Sequence, residues 1–187
     1  MHWTSIRGSS LERTPWRNGR GSSRPIVTRL GRDGDLLWQV GLADLLEDAP
    51  FSAYPQHERV FTPLDGTVEL AFEEGPFEPC PLLVPRRFLG ETPVRCRVPS
   101  PGHAFNVITD RQRHGAEVRV LRLEAGDPVE APEAPEVVIY CVEGELAAVG
   151  DLIEPGDALL GPGPAAPGAA AQDSTIILVA IRGTGLA

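Results

Sequence analysis

The feature that most constrains this chain is its punctuation. Twenty glycines and nineteen prolines cut 187 residues into short apolar or alternating runs, so long helices have little room to form. The segment VVIYCVEGELAAVGDLIEPGDALL, residues 137–160, reads as strand, turn, strand, turn, strand, and closes on Pro155-Gly156-Asp157. Further strands are expected at Ile26-Val27-Thr28, LLWQVGLA, RVFTPL, TVELAF, PLLVP, VRCRV, EVRVLRL and STIILVAIR. In LLWQVGLA the pleat puts Trp38, Val40 and Leu42 on one face and Leu37, Gln39 and Gly41 on the other. The stretch DLLED reads as a single helical turn, and Asp33-Gly34 as a hairpin turn. An echo between VFTPLDGTVEL and VIYCVEGELAA, each an apolar run broken by an acid–glycine turn, predicts two related β modules in one all-β chain. The expected boundaries are a flexible tail at 1–12, a first module at 13–124, a connector at 125–136 and a second module at 137–187.

Charge and residue choice narrow the chemistry. A net charge of −9 argues against binding a phosphate backbone, and the arginine-bearing stretch from Arg7 to Arg32 reads as pairing with the acidic remainder. Lysine is absent and all seventeen basic residues are arginine, which removes Schiff-base and P-loop lysine chemistry. Cys80, Cys96 and Cys141 are odd in number and form no CxxC pair, so they read as reduced thiols of a cytoplasmic protein. The first thirty residues contain no apolar signal-peptide core, and the run Ile176 to Ile181 is too short to cross a bilayer, so no membrane role is expected. His2, His57, His103 and His114 have no ligand spacing, so neither a metal nor another cofactor is expected. There is no G-x-S-x-G elbow, and Gly19-Arg20-Gly21 lacks the third glycine of a dinucleotide fingerprint. No catalytic residue is assigned.

Anion recognition remains. Arg59 opens a strand after a loop, and its fork of N–H donors suits a carboxylate. Asn18 and Asn106 each carry a donor and an acceptor that can read an amide or formyl group. Trp16, Phe51 and Phe105 are candidates to wall such a pocket. Plainer readings stand beside these: Arg59 paired with Glu58 or Asp44, Asn18-Gly19 as a turn, and the three aromatics as core. Arg24 and Arg111 are weaker candidates as strand-end arginines.

Three ordered motifs resemble the HutD/Ves family of small bicupins. They are Trp16-Arg17-Asn18-Gly19-Arg20-Gly21-Ser22-Ser23-Arg24; Pro50-Phe51-Ser52 followed by Glu58-Arg59 and Leu64-Asp65-Gly66; and Phe88-x-Gly90, Pro93, Cys96, Phe105-Asn106-Val107. Residues 137–160 resemble a generic cupin half, but Ala158, Leu159 and Leu160 stand where a metal-binding histidine usually follows the Pro-x-Gly turn. The resemblance implies a metal-free bicupin of the double-stranded β-helix type. It also implies a link to histidine utilisation, where a sensor or regulator binds a small formylglutamate-like carboxylate through Asn18, Arg59, Asn106, Trp16, Phe51, Ser52 and Phe105. The sequence departs from the family pattern at Arg20, at Gln39 and Gly41 (where the strand usually reads Trp-Arg-x-Ser), and at Gln56-His57. A metal-independent isomerase or lyase using His57 or His103 as base is the alternative. Exposed sheet edges admit a homodimer.

Overall fold

A computed structural model describes residues 2–16 and 21–184. Among the described residues the regular structure is strand, apart from one short 3-10 turn at Gly8–Ser10. The chain divides into two units, Glu12–His114 with Thr184–Ala187, and Met1–Leu11 with Gly115–Gly183.

In the first unit a six-stranded antiparallel sheet runs in the order Thr14–Pro15, Gly21–Leu30, Leu36–Leu45, Gly102–Asp110, His57–Pro63, Arg86–Leu89. A four-stranded sheet has the order Ala49–Pro50, Val94–Ser100, Thr67–Phe72, Glu78–Pro79. Alternate residues of both sheets meet in one apolar cluster, built from Ala43, Leu45, Phe61, Ala104, Val68, Leu70, Val94 and Cys96. The opposite face of the central strands is buried as well, with Trp38, Val40, Val60, Phe105 and Val107 each at most 2% exposed. This double burial explains why these strands read as dense apolar runs. Gly66, at φ +73°, turns the chain between His57–Pro63 and Thr67–Phe72. The structure thus bears out the acid–glycine turn read from the sequence.

The second unit pairs a five-stranded sheet with a three-stranded one. The larger runs Thr4–Ile6, Ala158–Gly161, Glu136–Glu143, Ser174–Gly183, His114–Leu123, and the smaller Asp151–Ile153, Leu146–Ala148, Gly168–Ala170. Its interior is filled by Ile139, Cys141, Leu146, Ile153, Leu159, Ile176 and Leu178, all buried. Leu159 is fully buried among these side chains.

Several local expectations differ from the structure. The segment expected as a flexible tail at 1–12 contains a paired strand among its described residues, because Thr4–Ile6 pairs with Ala158–Gly161. Asp157 anchors the same segment by accepting hydrogen bonds from the Gly8 amide and from Arg7 Nη1, each at 2.8 Å. DLLED forms no helical turn, since strand Leu36–Leu45 continues through Asp44 and Leu45, which are buried and paired on both sides. PLLVP is a turn, since Leu83 has φ +60° between Pro81 and Pro85 and the strand begins only at Arg86. His114–Leu123 pairs in the second unit's sheet, so the first module ends about ten residues earlier than its apolar pattern suggested. The stretch expected as a connector makes β-bridges at Pro128 and Ala131 and buries Val129, so it is part of the second unit's core.

Candidate functional site

The first unit contains a cavity of about 80 Å³. Strand register explains which side chains reach it. Gln39, Ile108 and Arg59 lie in one cross-strand row, and Gly41, Asn106 and Phe61 in the next. Side chains of one row project to the same face. Arg59 and Asn106 are therefore diagonal neighbours, and Arg59 Nε donates to Asn106 Oδ1 at 2.9 Å. Phe88 pairs directly with Arg59 from the edge strand.

Arg59 is 7% exposed, and the acids that the sequence offered it are engaged elsewhere. Glu58 pairs with Arg87. Asp44 pairs with Arg24 Nη2 at 2.9 Å and Arg13 Nε at 3.0 Å. Among the described residues no carboxylate forms an ion pair with Arg59, and aromatic faces take that place. The guanidinium carbon lies 4.1 Å from the Phe51 ring centroid, 5.8 Å from Phe88 and 5.9 Å from Phe61. Such stacking compensates a cation only in part. Burial pulls the guanidinium down to about 10 from its ordinary 12.5. A desolvated cation beside a cavity, without a counter-charge, is a site prepared for an anion.

The sequence candidates fall as follows. Trp16, Phe51, Ser52, Arg59 and Asn106 line the cavity. Phe105 does not, because pleat alternation turns it to the opposite face from Asn106, where it is fully buried. Asn18 lies outside the described residues. Arg24 is held by Asp44, and Arg111 Nη2 pairs with Glu91 at 2.6 Å, so neither serves the cavity. Tyr54, Ser23 and Pro50 line it without having been singled out. Only their place beside Phe51 or in the motif around Trp16 hinted at them. Gln39 and Gly41 also line it, as their shared strand face required. Gly41 has a second constraint: a Cβ there would stand 2.9 Å from the Arg24 carbonyl oxygen and 3.1 Å from Pro25 Cα. The neighbouring strand thus approaches too closely for a larger residue.

The histidines proposed as bases stand apart from the cavity. Both ring nitrogens of His57 face backbone carbonyls, Pro55 O at 2.8 Å and Leu36 O at 2.9 Å. His103 Nδ1 lies 3.0 Å from Asp65 Oδ2. The three thiols are buried, and burial pushes Cys96 and Cys141 up to about 12, unlike a nucleophilic cysteine. Among the described residues no three His, Cys, Asp or Glu side chains converge as metal ligands, and no helix is long and apolar enough to cross a membrane.

Comparison with known proteins bears on this geometry. The family model HutD matches residues 8–178. The chain is 35% identical over 108 residues to Protein Ves of Cronobacter sakazakii, covering 56% of this chain and 59% of that protein. It is 29% identical over 117 residues to an uncharacterized 21.2 kDa protein in the hutC 3' region of Pseudomonas putida, covering 61% and 62%. Each match thus spans about three fifths of the relative's length. Among solved structures, HutD from Pseudomonas fluorescens SBW25 superposes with a TM-score of 0.82 at 24% identity, covering 98% of this chain and all of that one. The conserved protein of unknown function PA5104 from Pseudomonas aeruginosa PAO1 gives 0.84 at 21% identity, covering 97% and 100%. A cupin 2 conserved barrel domain protein from Leptotrichia buccalis gives 0.64 at 10% identity, covering 96% of each chain. The family match runs over nearly its whole length and the fold is like that of the cupin barrel protein, so this chain belongs to the HutD family.

Proposed function

We propose that the protein binds a small carboxylate metabolite in the cavity of its first unit, and that the bound state reports on histidine utilisation. The observation that carries this reading is Arg59, a guanidinium desolvated beside a cavity with no acid paired to it among the described residues. The carboxylate replaces the missing counter-charge, and the Arg59–Asn106 hydrogen bond fixes the direction in which the remaining N–H groups point. Trp16, Phe51 and Tyr54 supply the apolar wall. The link to histidine utilisation rests on family membership and on a relative located in a hutC region. A formylglutamate-like acid is the candidate that the family suggests. A sensor agrees better than an isomerase or lyase with this site, because neither His57 nor His103 reaches the cavity.

Isothermal titration calorimetry with formylglutamate, urocanate and acetate, on wild type and Arg59→Ala, tests the proposal. Formate belongs in the panel because the HutD structure from Pseudomonas fluorescens is of a formate condition. The expected result is saturable binding of at least one acid that Arg59→Ala abolishes. Binding unchanged in that variant would remove Arg59 from the site and the proposal with it.

A further inference from the structure

We infer that the cavity accepts carboxylic acids whose α-substituent is neutral and carries an acceptor oxygen, as in an N-acylated amino acid, and that it rejects acids with a free α-ammonium group. The inference rests on the carboxylate reading above and names the ligand class within it. Three observations carry it.

The first is the orientation of Asn106. Arg59 Nε donates to Asn106 Oδ1 at 2.9 Å. A guanidinium has N–H donors and no acceptor, so only the amide oxygen can face it. Asn106 Nδ2 is thereby turned away from Arg59, and both residues line the cavity. The pair offers a ligand donors from two adjacent groups, a guanidinium fork for the carboxylate and an amide N–H for a second oxygen close by. An acyl oxygen on the α-substituent suits that N–H, whereas an ammonium meets it donor to donor.

The second is the sign of the site. Burial pulls the Arg59 guanidinium down, and the groups that oppose it are the Tyr54 phenol and the Cys96 thiol, neither of them a carboxylate. The described residues that line the cavity include no aspartate or glutamate. Residues 1, 17–20 and 185–187, outside the description, contain none either. Arg17 and Arg20 among them have the same sign as Arg59, so the argument does not depend on where they lie. The hydroxyls of Ser23, Ser52 and Tyr54 can accept a hydrogen bond but bring no negative charge.

The third is enclosure. Arg59 is 7% exposed, and Phe51, Trp16 and Ile108 line the same cavity. With its carboxylate paired to Arg59, an α-amino acid holds its ammonium about 6 Å from the guanidinium, where little water screens the repulsion. The ammonium also loses hydration that no acid replaces. An N-acyl group at the same place is uncharged and avoids both costs.

The test compares N-formylglutamate, glutarate and glutamate by NMR titration of the labelled protein at pH 7. The wild-type protein is expected to bind N-formylglutamate most tightly, and glutamate at least about tenfold more weakly than N-formylglutamate and more weakly than glutarate. Glutarate separates repulsion of the ammonium from loss of the acyl oxygen. The same order is expected for N-formylalanine, propionate and alanine, whose single carboxylate leaves no choice of which end Arg59 holds. Asn106→Asp keeps the acceptor for Arg59 Nε, removes the amide donor and cancels the charge, so it is expected to abolish the preference for the formyl acid over the amino acid. Glutamate binding to wild type as tightly as N-formylglutamate or glutarate would overturn the inference while leaving the carboxylate reading intact. Binding of none of these acids, formate and acetate included, would overturn both. The wild-type comparison decides the matter even if Asn106→Asp does not fold.

Discussion

The Arg59 guanidinium carbon sits 4.1 Å from the Phe51 ring centroid, so an aromatic face stands where a buried arginine ordinarily finds a carboxylate. The cation is under-compensated, and its burial works against folding. Because the folded-state pKa lies below that of the unfolded chain, this penalty is fully present at any pH below about 10 and is relieved only above it. Arg59→Met, which keeps the packing and removes the charge, should raise stability by about 1 kcal/mol while eliminating carboxylate binding. Urea unfolding of the two proteins without ligand measures the first effect and calorimetry the second. A clear loss of stability would mean that the guanidinium is better satisfied than its partners indicate.

Asp44 gives a prediction of opposite sense. Burial raises its carboxyl, but the Ser22 hydroxyl, Arg24 and Arg13 together hold it below the ordinary 3.8. A depressed carboxyl contributes stability above its unfolded pKa and loses it as the pH falls through the folded value. Asp44→Asn should therefore cost about 2 kcal/mol at pH 7, with the gap to wild type closing below about pH 4. Thermal unfolding at pH 7 and pH 3.5 checks this. A gap independent of pH would point to packing rather than charge.

A backbone prediction concerns Val149. It has φ +49° and precedes Gly150 at φ +83° in the two-residue turn between Leu146–Ala148 and Asp151–Ile153. A β-branched residue is disfavoured there, and Asn-Gly is the preferred pair. Val149 is exposed, so little packing is lost on replacement. Val149→Asn should stabilise the protein by about 1 kcal/mol, read as a higher denaturation midpoint with an unchanged m-value. A lower midpoint would show that the valine side chain contributes more than the strain removes.

The thiols provide a test of packing. Cys80, Cys96 and Cys141 are all buried, and burial raises each of them. In a disulfide-exchange assay at pH 8 the native protein should react slowly, at rates set by opening of the structure, and all three cysteines should react rapidly in denaturant. Fast stoichiometric labelling of the native state would contradict the closed cores of both units.

Much of this protein was legible in one dimension. Frequent glycine and proline with short alternating runs dictate an all-β chain, because neither residue sustains a long helix. The alternation around Gln39 and Gly41 places both on the cavity side. The ordered motifs around Trp16, Pro50 and Phe105 identify the family. What the sequence could not decide depended on pairing between residues far apart along the chain. Phe105 and Asn106 are adjacent in the family motif, yet the pleat sends them to opposite faces, and only the register with His57–Pro63 shows which of the two joins Arg59. The N-terminal residues are too polar to announce a strand, and they become one by pairing with Ala158–Gly161 and capping Asp157. Arg59 itself had nearby acids in sequence. It is left without them because the folded chain gives Glu58 to Arg87 and Asp44 to Arg24 and Arg13, a competition that exists only in three dimensions.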